Sequence, residues 1–222
     1  MGMHKNKLIR NTLGVLASFV VLTGCSSDGP VIEQPEQQYY DIAQSRMRAK
    51  NYFSAIDALE MIVTRYPFGR YAEQAQSELI YAQFMNGDDE AAHAATEQFI
   101  RLHPRHPNID YAYFMKGITS YTRDRSLFAR FFEDNLPKRD ISGAKQSFAE
   151  LSEFLTRFPN SQYAPYAKQR LIYLRNMIAK HELVAARYYL KRKAYIAALR
   201  RAKYVIEHIP NSGENLEALN VI

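Results

Sequence analysis

Hydrophobic positions recur along this chain in a helical rhythm, and four times an apolar helical stretch runs into a proline. The endings are Ile62 to Pro67, Phe99 to Pro104, Phe154 to Pro159 and Val205 to Pro210. Twelve residues before each proline stands a small residue: Ala55, Ala92, Ser147 or Ala198. Five before stands a bulky apolar one: Ile62, Phe99, Phe154 or Val205. Proline breaks a helix interior and biases the residue before it away from helical angles, so each one marks a helix end. A small residue on the other face lets a neighbouring helix approach closely.

The combination predicts an all-α chain of helix-turn-helix units, in which the 34-residue tetratricopeptide (TPR) repeat has a small residue and a terminal proline in this arrangement. The prolines lie 37, 55 and 51 residues apart, so only the first interval is near the simple period. Helix pairs are predicted at about 36–49 with 52–66, and at 71–86 with 88–103. Lys50-Asn51 turns the first pair; in the second, Gly87 supplies a left-handed helix end and Asp88 a cap for the next helix. The third pair opens at Asn108, runs to about 122 and resumes at about 142–158. Its insertion, residues 123–140, carries Leu127, Phe128, Phe131, Phe132 and Leu136, and must pack on the repeat body or on a partner. The fourth pair starts at Asn160-Ser161 with Pro165 in the first turn. It meets no breaker until about Arg192, which makes one helix on the order of 45 Å long. Its partner covers about 194–209, and 214–222 opens a fifth repeat that is incomplete. The chain thus divides into an N-terminal half, 36–160, with repeats 1–3, and a C-terminal half, 161–222, with repeat 4 and part of repeat 5.

The first 24 residues have a basic start, then an apolar run from Leu13 to Leu22. Such a run spans about half a bilayer core, which predicts a removed signal peptide and not a membrane-spanning helix. The ending Leu22-Thr23-Gly24-Cys25 resembles the bacterial lipobox, which implies an N-acyl and S-diacylglycerol lipid on Cys25 and cleavage just before it. Several acyl chains suffice for stable anchoring. Ser26, where aspartate would resemble an inner-membrane retention signal, implies the periplasmic face of an outer membrane. Residues 25–35 are poor in apolar side chains and read as a flexible tether.

Of the 222 residues 47% are hydrophobic and 23% charged, ample for a globular core. The glycines beyond residue 24 do not cluster, so no glycine-rich phosphate cradle is present. One cysteine excludes an intrachain disulfide and a thiolate zinc cluster. Losing Lys5, Lys7 and Arg10 with the signal segment takes three from the formal charge of +6. The remainder gives no reason to expect nucleic acid. No carboxylate forms a catalytic motif with a nearby His, Ser or Lys, so neither an enzyme nor a cofactor is expected. His103 and His106 flank Pro104 without a further metal donor nearby except Asp110, and read as surface residues.

The first helices of stacked pairs line a concave face. The proline register puts Tyr40, Met47, Tyr81, Phe84, Tyr111, Phe114 and Tyr121 near it, where aromatics could grip a peptide. The other reading of the same residues is inter-repeat core. Between 180 and 203 eight cations, among them Arg187, Arg192, Arg200 and Arg201, face the lone acid Glu182. That run suits an acidic partner surface or phospholipid headgroups, or forms solvated helix faces.

Several stretches carry a family resemblance: Arg65-Tyr66-Pro67-Phe68-Gly69, Phe99-Ile100-Arg101-Leu102, His106-Pro107-Asn108-Ile109-Asp110-Tyr111 and Pro159-Asn160-Ser161-Gln162-Tyr163. With the lipobox, the insertion and the long fourth helix, they resemble the BamD (ComL-type) lipoproteins of the outer-membrane β-barrel assembly machinery. The resemblance covers Cys25 to about Leu219. It implies a non-catalytic docking subunit with five repeats, whose C-terminal half binds the BamA-type barrel protein beside the other lipoproteins of the complex. The N-terminal half is implied as the reader of unfolded outer-membrane protein segments. The resemblance also aligns Arg201 with a family arginine at the BamA contact, so Arg201→Glu is expected to weaken that contact without loss of helicity. A periplasmic TPR adaptor that regulates peptidoglycan enzymes would share lipobox and repeats, and is the rival reading.

Overall fold

The structure of the protein, a computed structural model, describes residues 35–123 and 140–222. The signal segment, Cys25, the tether up to residue 34 and the apolar core of the insertion lie outside the described residues. Among those described there is no strand, and nine α-helices follow one another. They are α1 (Glu36–Arg48), α2 (Tyr52–Arg65), α3 (Ala72–Asn86), α4 (Asp89–Leu102), α5 (Ile109–Arg123), α6 (Ser142–Arg157), α7 (Ala164–Lys191), α8 (Tyr195–His208) and α9 (Asn215–Val221). Each packs on the next, and α3 also meets α5 as α7 meets α9, so the first helices of successive pairs are neighbours. This is the stacked-hairpin architecture that the proline rhythm predicts.

The repeat is written in packing as well as in sequence. The small residues twelve before the prolines, Ala55, Ala92, Ser147 and Ala198, are fully buried, as are Ile62, Phe154 and Val205 five before, with Phe99 at 1% exposure. Eight before, Leu59, Thr96, Leu151 and Ala202 are fully buried too. Offsets of four and three residues put all three on one helical stripe.

Helix ends repeat with the same fidelity. The residue before each proline, Tyr66, His103, Phe158 or Ile209, has φ between −125 and −129 and ψ between 51 and 61. Each donates its N–H to the carbonyl four residues back, at 2.8 Å in the first three and 3.0 Å in the last. Proline imposes the extended angle, and the last hydrogen bond closes the helix before it. Turns within pairs repeat as well: Lys50, Gly87 and Lys193 have φ of 56, 87 and 58. Each gives its N–H to the carbonyl three residues back, and the following N–H reaches five residues back, a left-handed helix ending. Asp88 does not cap α4 as expected; its carboxylate accepts Asn86 Nδ2 at 2.6 Å instead. Asn51 does cap α2, accepting Ser54 N–H at 3.2 Å.

A polar knot ties α4, α5 and α6 inside this packing. His93, 4% exposed, has Nδ1 3.1 Å from Thr119 Oγ1 and 3.3 Å from Ser120 Oγ. Thr119 donates its proton to Met115 O at 2.9 Å and Ser120 donates to Glu150 Oε2 at 2.5 Å, so the imidazole Nδ1 carries the hydrogen toward them. Lys116 joins Glu97 at 3.1 Å and Glu150 at 3.9 Å around the same knot.

Candidate functional site

Glu36, Glu73 and Asp110 open α1, α3 and α5 at 37-residue spacing, and each reaches the connector that leads into a following first helix. Glu36 accepts Arg70 N–H at 3.1 Å and Tyr71 N–H at 2.7 Å, placing a carboxylate at the positive end of α3. Glu73 lies 3.4 Å from His103, and Asp110 accepts Ser161 Oγ at 2.6 Å. These ties hold α1, α3, α5 and α7 side by side along one face.

On that face two aromatic stacks form. Tyr40 lies on Tyr71 with ring centres 4.4 Å apart, and Phe114 lies on Tyr163 at 5.0 Å. Tyr40 and Phe114 stand 74 residues apart, two repeat intervals, and each stacks on the residue that leads into the next first helix. The position between them holds Ser77, and the connector position 37 residues after Tyr71 holds Asn108. Where the two flanking repeats have a stack, the middle one has a cavity of about 290 Å³, and Ser77 and Asn108 line it. Met47, Tyr81, Tyr111 and Tyr163 provide its apolar walls, with Gln44, Glu78, Asp110 and Gln162 as polar groups.

Glu78 fixes the polar side, accepting Tyr40 Oη at 3.1 Å, Gln44 Nε2 at 2.6 Å and Gln74 Nε2 at 2.7 Å. Burial and the Glu78 carboxylate push the Tyr40 phenol up to about 12. Burial also raises Tyr111 and Tyr163, so these phenols stay neutral donors at ordinary pH. The cavity thus offers aromatic faces, hydroxyl donors and carboxylate acceptors to a chain that brings apolar side chains and backbone N–H groups.

Of the seven aromatic and apolar residues expected on the face, Met47, Tyr81 and Tyr111 line the cavity and Tyr40 supports its wall through Glu78. Phe84 packs half-buried between repeats beside Ile80 and Phe99, and Phe114, whose ring stacks on Tyr163 at that face, also packs half-buried against Phe154. Tyr121 belongs to the core: it is 4% exposed, its hydroxyl meets Tyr173 Oη at 3.2 Å, and the Arg170 guanidinium lies 4.1 Å over its ring. Sequence reading missed Glu78, Gln44 and Tyr163, although Tyr163 ends one of the stretches singled out above. His103 and His106 are not plain surface residues; both are half-buried against Phe99, ring centres 5.1 Å away, and His103 Nε2 lies 2.6 Å from Gln76. Among the described residues no three His, Cys, Asp or Glu gather as a metal site requires.

The basic run divides in the structure. Arg201 Nη1 donates to Glu182 Oε2 at 2.7 Å, and Lys145 Nζ lies 3.5 Å from the other oxygen of that carboxylate, whose side chain is 3% exposed. Arg187 pairs with Glu217 of α9. Arg192 covers the exposed Tyr188 ring at 5.3 Å. Arg200 lines a shallow depression with Tyr189, Lys193, Tyr195 and Ile196, in which Tyr195 and Ile196 are two-thirds exposed. Arg192, Arg200 and their aromatic neighbours are therefore an open surface, while Arg201 and Arg187 already hold structural partners.

Stacked hairpins with an aromatic hollow and a separate cationic patch define a helical-repeat interaction scaffold. The family model described as an outer membrane lipoprotein, YfiO, matches residues 32–222. The outer membrane protein assembly factor BamD of Vibrio cholerae is 36% identical over 211 residues, covering 95% of this chain and 88% of that protein. The BamD proteins of Xylella fastidiosa and Neisseria gonorrhoeae are 35% and 33% identical over 212 and 220 residues, covering 92% and 98% of this chain and 71% and 82% of theirs. The chain belongs to this YfiO/BamD family of outer membrane lipoproteins. Among the described residues no helix is long and apolar enough to cross a membrane.

Proposed function

We propose that this protein is a non-catalytic scaffold of outer membrane protein assembly, held at the periplasmic face of the outer membrane by lipid on Cys25. Its N-terminal half presents the hollow between Met47, Tyr81 and Tyr111 to unfolded outer-membrane protein segments. Its C-terminal half docks on a BamA-type barrel protein through the face that carries Arg187, Arg192, Arg200 and Arg201, next to the other lipoproteins of the complex. The observation that carries the reading is the interrupted aromatic stack: three successive repeats and the start of the fourth converge on one hollow of about 290 Å³, in a family whose members are named as assembly factors.

Affinity purification from outer membrane with identification of partners tests it. Wild type is expected to bring down a BamA-type barrel protein, and Arg192→Glu with Arg200→Glu to lose it without loss of helicity. Recovery of peptidoglycan hydrolases or synthases in its place would favour the rival adaptor reading. Cys25→Ala is expected to leave the membrane fraction while keeping its fold; tight membrane association that survives a salt wash would contradict the lipid anchor. Wall turnover by the purified protein that depended on one of its carboxylates would overturn the non-catalytic reading.

A further inference from the structure

At the carboxyl end of α8 lies a second cavity, of about 430 Å³, that neither surface above includes. Its floor is apolar: Ile178 and Ile209 are under a tenth exposed, and Phe148 is half-buried. Tyr204 stacks on His208 with ring centres 4.6 Å apart and makes a flat aromatic wall. Lys145 and Arg175 bring positive charge, and no carboxylate among the described residues lines the cavity. Arg175 is half-buried and has neither ion pair nor hydrogen bond among the described residues. Lys145 shares the buried Glu182 carboxylate at 3.5 Å, but Arg201 already holds that group at 2.7 Å. A half-desolvated guanidinium above an apolar floor gains from a carboxylate that arrives with its own hydrophobic neighbour.

We propose that this cavity docks an acidic segment of a partner polypeptide, with a carboxylate on Arg175 and Lys145 and an adjacent aromatic or branched side chain on Phe148, Ile178 and Ile209. The site is separate from the Arg192 and Arg200 patch. That patch is lined by residues 189–201 and this cavity by 145–178 and 204–211; the two share no lining residue, although Arg200 and Tyr204 stand one turn apart on α8. It therefore stands whether or not the barrel-protein docking above is correct.

Fluorescence anisotropy with the full chain in detergent micelles tests it. The probe is a labelled peptide, Ser-Gly-Asp-Phe-Ser-Gly, compared with its Asn-Phe and Asp-Ala forms. The Asp-Phe peptide is expected to bind and each altered form to lose at least about fivefold. Arg175→Gln and Tyr204→Gln should each weaken binding by about tenfold with an unchanged thermal midpoint, while the cation variant Arg48→Gln, on α1, has no effect. Should Arg175→Gln fail to fold, the exposed Tyr204→Gln decides. Equal binding of the Asn-Phe peptide, indifference to both cavity variants, or binding of inorganic phosphate or phosphatidylglycerol vesicles without the Asp-Phe peptide would overturn the proposal.

Discussion

Arg201 shows how a contact in the structure changes what a substitution means. Its guanidinium is half-exposed, yet its partner Glu182 is a buried carboxylate, and the hydrogen bond to it raises the arginine above its ordinary range. Arg201→Glu would set two carboxylates together, with Lys145 alone to offset them, at a cost of about 2 kcal/mol. A drop in the chemical-denaturation midpoint is therefore expected beside any weakening of the partner contact, with helicity kept under native conditions; Arg201→Gln should be milder. Tyr40 carries a pH dependence. Its phenol titrates near 10 unfolded and about 12 folded, so the stability linked to it is complete below pH 10 and fades as pH rises toward 12. Tyr40→Phe should lower stability below pH 10 and flatten its fall between pH 10 and 12; an unchanged slope across that window would show the Tyr40 to Glu78 link to be unimportant. Glu182 is legible as the odd acid in a basic run, but only the packing of α7 on α8 buries it beneath Arg201. Tyr121 misled for the opposite reason: helical spacing puts it on the α5 face, and only the approach of Arg170 and Tyr173 from α7 covers it.

Among the helices, the proline rhythm was enough to place nearly every boundary to within about two residues, because small and bulky residues at fixed offsets determine one buried stripe. The Asp88 cap was not legible: the left-handed turn at Gly87 brings Asn86 within reach of its carboxylate, and the side chain follows the nearer donor. The same turn geometry occurs at Lys50 and Lys193 without glycine. An L-residue with a side chain pays for that angle, so Lys50→Gly and Lys193→Gly should each stabilise by about 0.5–1 kcal/mol, read as a higher thermal midpoint. Gly117 behaves in reverse. In an open helix alanine would gain up to about 1 kcal/mol over glycine, but here an added Cβ would stand 2.6 Å from the Leu151 side chain. Ser147 Oγ also donates to Gly117 O at 2.6 Å, fixing α5 against α6. Gly117→Ala should therefore destabilise by about 1–3 kcal/mol, and a neutral or higher midpoint would mean that the two helices can part.

For the molecule as a whole, the departure from periodicity matters more than the periodicity. Sequence alone put aromatics on the concave face, but the hollow arises from what is small there, Ser77 and Asn108, and an absent ring leaves no hydrophobic signal to read. Placing the missing pair, Ser77→Tyr with Asn108→Tyr, should fill the hollow and raise the thermal midpoint by about 2–4 °C if a new stack contributes about 1 kcal/mol. The same double variant should lose binding of unfolded outer-membrane protein segments, and retained binding would move the client site elsewhere. Because stacked repeats pass strain only to their neighbours, a guest in the hollow beside α3 and α5 acts first on the seam between those two helices. A guest that lends its ring to that seam splints it: grip and stiffness then rise together, and slower amide exchange across α3 and α5 on peptide binding would report both at once.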